Sequence, residues 1–270
     1  EQGLRVKSAS EGEWAVRAPA VEELDGQRPA DLILFCVKSF DTENAAAALR
    51  PAIGAPTGVL SIQNGVDNED RLARIVGAGH VMGGVAQVFA TIEAPGVIRH
   101  ALLGRIVFGE MGGSETGRAR AFLAACQRAS IPAQISADMR RTLWEKYVSL
   151  TAHAGMTALT RCPAGVIREL PPTRRMYRLL LEEMAALARA ERAGLPDDIV
   201  ESSLQTLDSV GGNAYSSLHH DLTHGKRLEL EALHGHALAL GERHGIPTPM
   251  LLAVYAALLP HRDGAPRLAG

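Results

Sequence analysis

Short apolar runs alternate with polar, helix-forming stretches along the first half of the chain. Three of these runs are ADLILFCVK (30–38), TGVLSIQ (57–63) and VMGGVAQVFATI (81–92). They are rich in Leu, Ile and Val, and helical patterns at 41–54 and 67–77 separate them. This arrangement is typical of a parallel sheet that helices cover on both faces. The first half is therefore predicted to be an α/β domain.

The run GVIRHALLGRIVFGE, residues 96–110, predicts two more strands in the first half. Leu103 and Gly104 interrupt the run at a place where a tight turn would fit, and an antiparallel pair would result.

Long helical patterns replace the strand signals after residue 137. One of them stops at Gly194, and Thr248 followed by Pro249 indicates the beginning of another helix. We therefore predict two domains, residues 1–137 with an α/β fold and residues 138–270 built of helices.

Composition narrows the class of protein. The chain has 270 residues, 46% of them hydrophobic, a net charge of −2, and 4% aromatic residues. No apolar run is long enough to span a bilayer and no leader is visible, so we expect a cytoplasmic protein without a membrane partner. The balanced charge argues against nucleic-acid binding. Three distant cysteines, Cys36, Cys126 and Cys162, indicate neither disulfides nor a metal site.

The stretch QNG, residues 63–65, follows a buried apolar run and has two interpretations. Asn-Gly commonly forms a turn after a strand, which is the simpler interpretation. The alternative is a ligand contact, because open α/β sheets bind ligands at the carboxyl ends of their strands.

Several charged residues could carry chemistry. Lys38 ends the first buried run, where it could bind an anion or lie on the surface. Lys146 lies beside the apolar face of its helix, where it could donate a proton or be solvated. Glu229 opens an apolar helix, where an ordinary first-turn acid is an equally good interpretation. Residues 216–235 also contain four histidines, His219, His220, His224 and His234, which could indicate a metal site. Their spacing lacks a helical pair with a matched acidic ligand, so we interpret them as surface residues instead.

An ordered series of short motifs runs along nearly the whole chain. It comprises VK (37–38), QNG (63–65), a GG strand, PG and GE, WEK (144–146), and SS, D and GKRLE between 216 and 229. In this order and spacing the series resembles ketopantoate reductase, also called 2-dehydropantoate 2-reductase. The resemblance implies an amino-terminal Rossmann-type domain that binds NADPH and a helical carboxyl-terminal domain. It also implies reduction of a 2-keto acid to the 2-hydroxy acid in the cleft between them, as in pantothenate biosynthesis.

The same resemblance assigns roles to individual residues. Lys146 matches the family's catalytic lysine, which protonates the ketone oxygen as hydride arrives, and Glu229 matches the acid that orients substrate and lysine. Ser217 matches a substrate contact. Asn64 would lie between the nicotinamide ribose and the substrate.

Two further residues are assigned to the cofactor by the resemblance. Lys38 would lie near a cofactor phosphate, and Gln63 would contribute to the cofactor side of the cleft. On this view the QNG stretch is both a turn and part of the site.

The chain departs from the family pattern in its substrate positions. Leu150 and Ala154 stand where the family typically has asparagines that face the substrate, so a less polar 2-keto acid fits as well as 2-dehydropantoate. His153 could supply a polar group, although we interpret it as a surface residue.

A second departure concerns the cofactor. No G-x-G-x-x-G follows a strand in this chain, and that motif brings the backbone close to the pyrophosphate. We expect that a few tens of residues present in the family are missing here and that cofactor binding is impaired.

Three hypotheses follow. The first is an NADPH-dependent 2-keto acid reductase. The second is an inactive truncated homologue, in which the helical half serves interaction or homodimerisation. The third is a related hydroxyacid or opine-type dehydrogenase with a different substrate.

Overall fold

A computed structural model describes residues 3–266, with all their side chains except those of residues 102 and 103. The chain divides into two compact units. The first comprises the residues up to Val37 together with Asp41–Gln63 and Asn68–Met139. The second comprises Lys38–Phe40, Asn64–Asp67 and the chain from Arg140 onward. Strands occur in the first unit and helices make up the second, so the predicted α/β half followed by a helical half is confirmed.

The first unit, here the sheet unit, is built around one sheet of seven strands. Its elements in chain order are β1 (Leu4–Ser8), β2 (Gly12–Val16), β3 (Leu32–Phe35), α1 (Thr42–Ala48), β4 (Gly58–Ser61), α2 (Asn68–Val76), β5 (Val81–Ala94), β6 (Val97–Glu110), α3 (Gly117–Arg128) and β7 (Ala133–Ile135). The strand order is β2-β1-β6-β5-β4-β3, and β7 pairs with β6.

Strands β3, β4 and β5 are parallel neighbours, as the apolar runs predict. All four residues of β4 are buried, because helices cover both faces of the sheet at this strand. Val59 packs in a core with α1 and α2, whereas its neighbour Leu60 packs in a second core with α3. Successive side chains of a strand point to opposite faces, which accounts for the two separate cores.

The prediction of two strands within residues 96–110 is wrong. A single strand, β6, covers this run and pairs antiparallel with β5 over its whole length. Arg105 lies opposite Gln87 and Leu103 lies opposite Val88, so Gly104 is an extra residue that forms a β-bulge. The tight turn is at Pro95 and Gly96, between the two strands. A glycine inside a strand commonly marks such a bulge, and in the sequence Gly104 was mistaken for part of a tight turn.

The second unit, here the helical unit, contains seven α-helices within the described residues. They are α4 (Met139–Thr160), α5 (Ala164–Glu169), α6 (Pro171–Ala190), α7 (Ile199–Ser209), α8 (Ser217–Thr223), α9 (His236–His244) and α10 (Pro249–Leu258). A π-helical turn, Glu231–Gly235, leads directly into α9. One continuous apolar core joins these helices. Among residues 3–266, no helix combines the length and the apolar character that crossing a bilayer requires.

Candidate active site

Helix α4 presents one buried face to the core of the helical unit. Trp144, Tyr147, Val148 and Thr151 lie on this face, and each is at most 3% exposed. This confirms the face that the spacing of apolar residues predicts. Lys146 lies at the edge of the face and is partly buried. Its ammonium group is therefore held near the apolar interior of the unit.

The Glu229 carboxylate is fixed at both of its oxygens. The backbone N–H of Ser39 donates to Oε1 at 3.0 Å, and Lys38 Nζ lies 3.1 Å from Oε2. Lys38 Nζ also donates to Oδ2 of Asp221 at 2.7 Å. We call Lys38, Asp221 and Glu229 the Lys38 cluster. Lys38 and Ser39 belong to the helical unit by their contacts, although in the sequence they follow β3 after only two residues.

Local structure explains why Asp221 and Glu229 both reach Lys38. Helix α8 begins after Ser216, whose side chain accepts a hydrogen bond from His219 N and so caps the helix. Past the end of α8, Lys226 N donates to the backbone oxygen of Asp221 at 2.9 Å, which folds the chain back toward that helix. Glu229 follows at the beginning of the next helical segment, where Leu233 N donates to its backbone oxygen.

The two lysines near Glu229 have opposite electrostatic environments. Burial lowers the pKa of Lys146 to about 8, although the Glu229 carboxylate acts against this change. Burial also acts to lower the pKa of Lys38, but Glu229 and Asp221 together outweigh burial and raise it above its usual value. Lys38 is therefore a permanent cation, whereas Lys146 can gain or lose a proton near neutral pH.

The QNG stretch forms a turn that requires its glycine, because Gly65 has a φ of 115°. The Gln63 side chain is engaged within the sheet unit, since its Nε2 donates to Val37 O and to Thr42 Oγ1, each at 2.9 Å. Asn64 is partly buried and belongs to the helical unit. The turn interpretation is confirmed, and the ligand roles of Gln63 and Asn64 stay predictions.

Two neighbouring serines at the beginning of α8 differ in their surroundings. Ser217, the predicted substrate contact, is exposed. Ser216 is buried, and its hydroxyl lies 2.7 Å from the Thr157 hydroxyl of α4. The exposed hydroxyl of Ser217 is the one that a small molecule could reach.

The interpretation of His153 and His234 as surface residues is wrong. His153 on α4 is partly buried, and burial lowers its pKa to about 4. His234 is 0% exposed, and burial lowers its pKa to about 4 as well. Both rings are neutral at pH 7. Their positions at helical spacing among apolar residues are the signal that the sequence offered.

Leu150 and Ala154 occupy different environments on α4. Leu150 is partly buried and packs at the margin of the core, one turn beyond Lys146. Ala154 is 1% exposed and lies inside the core. Of these two positions, Leu150 is the one at which a side chain can influence a molecule bound beside Lys146.

Asp221 is the residue of the site to which the sequence assigned no role. It lies 183 positions from Lys38, and a contact at that separation leaves no local pattern. The aspartate stands within the motif series, but its partner becomes visible only in the folded structure.

The residues fit a nicotinamide cofactor in part. Strands β3 and β4 run parallel side by side, and dinucleotides bind outside the carboxyl ends of such strands. The glycine-rich loop G-x-G-x-x-G, which would hold the pyrophosphate, occurs nowhere in the sequence. The described residues therefore offer the sheet edge at which a dinucleotide would bind, but they supply no phosphate loop of this kind.

Comparison with known proteins identifies both halves of the chain. Residues 1–113 match the family model described as Ketopantoate reductase PanE/ApbA. Residues 138–261 match the model described as Ketopantoate reductase PanE/ApbA C terminal. The two matches are consecutive and follow the division into a sheet unit and a helical unit.

Individual relatives agree with these matches. A 2-dehydropantoate 2-reductase of Halobacterium salinarum is 32% identical over 98% of this chain and 87% of its own length. The crystal structure of a PanE/ApbA family ketopantoate reductase from Ralstonia eutropha is 32% identical, with a TM-score of 0.88 over 97% of this chain and 85% of that one. That of a 2-dehydropantoate 2-reductase from Geobacter metallireducens is 30% identical, with a TM-score of 0.88 over 96% and 86%. The sheet unit thus has a Rossmann-like fold.

Proposed function

Because this chain belongs to the ketopantoate reductase family of oxidoreductases, we propose that it reduces a 2-keto acid to the 2-hydroxy acid with NADPH as the reductant. The substrate is 2-dehydropantoate or a related compound, which the names of the relatives support. The observation that carries the proposal is that Lys146 is partly buried, within electrostatic reach of the Glu229 carboxylate, and has a pKa of about 8. A general acid works best when its pKa lies near the working pH.

Lys146 is the proton donor in this proposal. The nicotinamide, when bound, supplies a hydride to the carbonyl carbon. The Lys146 ammonium donates its proton to the carbonyl oxygen, so that the ketone becomes a hydroxyl group and the lysine is left neutral. Before the transfer, its positive charge stabilises the negative charge that develops on this oxygen.

The remaining residues orient the reactants. The Glu229 carboxylate, held by Ser39 N and Lys38 Nζ, fixes the direction of Lys146. Ser217 and Asn64 bind the substrate, and Asn64 also contacts the cofactor. Lys38 and Gln63 are assigned to the cofactor side, where a phosphate contact of Lys38 would compete with its two carboxylate partners. The proposed domain boundary lies between residues 137 and 138.

Turnover by the full chain tests this function. The oxidation of NADPH would be followed at 340 nm with 2-dehydropantoate and with a panel of branched 2-keto acids that lack its hydroxyl group. We expect turnover with at least one of them and a loss of about 100-fold or more in kcat for Lys146→Met.

Lys226→Met is the matched control, because Lys226 is an exposed lysine of the same unit. It should retain the activity of the unchanged protein. Equal activity of Lys146→Met and Lys226→Met would rule out Lys146 as the proton donor. An absence of NADPH oxidation with the whole panel would refute the proposed function itself.

A further inference from the structure

Two of the histidines between residues 216 and 235, His220 and His224, are four positions apart. His220 lies in the last turn of α8, and His224 directly follows that helix. Residues at this spacing lie on the same side of a helix, and two histidines so placed can bind one metal ion. The proposed reaction assigns no role to either ring.

The imidazole rings of His220 and His224 lie close together. Their centroids are 4.0 Å apart, and their planes are inclined by 31°. An imidazole nitrogen binds Zn²⁺ at about 2.0 Å, so two rings bound side by side to one ion have centroids roughly 4–5 Å apart. The two rings therefore already have a separation that a shared ion requires.

A hydrogen bond to the backbone selects one tautomer of His224. Its Nδ1 lies 2.7 Å from the backbone oxygen of His220. A carbonyl oxygen only accepts, so Nδ1 carries the ring proton and Nε2 keeps a lone pair. Among the described residues, no hydrogen bond engages this Nε2. Histidines that bind metals commonly donate their second N–H to a backbone carbonyl in this way, which orients the ligating nitrogen.

The charges around the pair permit metal binding and limit its strength. An imidazole must be neutral to bind a metal ion. Burial, and next the neighbouring His224, lower the pKa of His220, although Asp221 acts against this change. His220 is therefore largely neutral at pH 7. Lys226 and Lys38, which also act on His220, would repel a dication, whereas Asp221 would attract it.

The pair supplies two protein ligands. Within the part of the chain that the structure describes, no group of three or more His, Cys, Asp or Glu side chains could hold a metal ion. A structural zinc site uses four protein ligands, so the pair does not form one. Because His224 is exposed, water can take the other positions around the ion. Among the divalent ions that imidazole binds, Cu²⁺ is held most tightly.

We propose that His220 and His224 form a surface site for one divalent transition-metal ion, which binds Cu²⁺ preferentially and Zn²⁺ or Ni²⁺ more weakly. The protein ligands are Nε2 of His224 and one ring nitrogen of His220, and water completes the coordination. The proposal is independent of the proposed function, because neither histidine takes part in that reaction.

Metal binding to the full chain tests the proposal without cofactor or substrate. Titration with CuSO₄ in a non-coordinating buffer at pH 7 would be followed by calorimetry and by the visible absorption of bound Cu²⁺. The affinity of the tightest site should fall about tenfold or more in His220→Gln and in His224→Gln, because each change removes one of the two ligands. In the double variant, the second substitution should cost much less affinity than the first.

His219→Gln is the matched control. His219 belongs to the same helix, but its ring stacks on that of Tyr215, with the centroids 4.1 Å apart. The control should bind Cu²⁺ as tightly as the unchanged protein, and circular dichroism would establish that each variant is folded. An equal loss of affinity in His219→Gln would overturn the proposal. An unchanged affinity in His224→Gln would also overturn it and would identify the bound Cu²⁺ as an adventitious ion only.

Nuclear magnetic resonance of the unchanged protein identifies the ligand atoms and does not depend on the folding of any variant. The ¹⁵N signals of the histidine rings distinguish the two tautomers, and His224 should show the proton on Nδ1. Diamagnetic Zn²⁺ should then shift the Nε2 signal of His224 and one ring signal of His220. Shifts confined to other histidines would contradict the proposed site.

Discussion

Two polar regions of the helical unit differ in the protonation state of their ionisable side chains: one holds charged groups and the other holds a neutral histidine. In the Lys38 cluster, three charged groups lie in contact, and the charge of one of them, Glu229, acts on Lys146, whose pKa is about 8. At His234, a fully buried imidazole has no charged partner among its described contacts, and burial lowers its pKa to about 4. The interior keeps an ionised group where counter-charges surround it and a neutral group where they do not.

The neutral region depends on one hydrogen bond. His234 Nε2 lies 3.1 Å from the backbone oxygen of Thr151 on α4. A carbonyl oxygen only accepts, so Nε2 must carry the ring proton. No hydrogen-bond partner of His234 Nδ1 or of the Thr151 hydroxyl is found among the described residues. This region is thus less well satisfied than the Lys38 cluster, and we expect it to be the more sensitive of the two to acid.

The largest expected effect is the change of kcat with pH, which depends on the charged region. In the proposed reaction, reduction requires protonated Lys146, so kcat should fall about tenfold for each pH unit above about 8. Oxidation of the 2-hydroxy acid requires neutral Lys146, so its kcat should rise with pH and level off above about 8. Measuring kcat for reduction and for oxidation at saturating substrate from pH 6 to 10 shows whether the two change with pH in opposite directions. Parallel profiles in the two directions would contradict the role of Lys146.

The sequence predicted the charged region better than the neutral one. The motifs singled out Lys146 and Glu229, whose catalytic roles stay predictions, and the apolar stripe along α4 correctly predicted which face is buried. Asp221 received no role, because its partner lies 183 positions away. His234 was misjudged because the three preceding histidines, on α8 and directly after it, suggested a surface segment.

The sheet unit shows a different limit of prediction. The parallel strands β3, β4 and β5 were identified because burial on both faces produces continuous apolar runs. The β1–β2 hairpin was not, since every residue of β2 is exposed and the segment has no apolar alternation. Pairing of β1 with β6 joins residues about ninety positions apart, which no local pattern predicts.

The next largest effect is the acid lability of the neutral region. The folded-state pKa of His234 lies near 4, below the unfolded value of 6.5, so the unfolded chain binds more protons between these pH values. The contribution of neutral His234 to the free energy of unfolding is complete above pH 6.5. It is lost as the pH falls toward 4, and the total loss is about 3 kcal/mol. Urea unfolding at pH 7, 6 and 5 would measure this loss.

His234→Gln should flatten the dependence of stability on pH, because glutamine does not titrate. His224→Gln is the control, since His224 is an exposed histidine of the same unit. Equal pH slopes for the two variants would show that His234 is not the group responsible.

A smaller effect is expected from filling the space beside His234. A Cβ atom at Gly155 would lie 2.6 Å from His234 Nε2 and 2.9 Å from Val254 Cγ1. Gly155→Ala should therefore destabilise the protein by about 1–2 kcal/mol, even though alanine is the better helix former. Gly117→Ala is the control, because the space around that helical glycine is open. The denaturant midpoints of the two variants measure the difference in stability. If Gly155→Ala is as stable as Gly117→Ala, the His234 imidazole can move away from the added methyl group.

The smallest effect concerns the residue between the two regions. Leu150 lies one turn beyond Lys146 and is partly buried, whereas Ala154 is enclosed in the core, where an added amide would not fit. Leu150→Asn should favour the hydroxylated 2-dehydropantoate over branched 2-keto acids without a hydroxyl, by about tenfold or less in relative kcat/KM. Leu150→Ala, which removes volume without adding an amide, is the matched control. An equal change of preference in both variants would show that space rather than hydrogen bonding at this position selects the substrate.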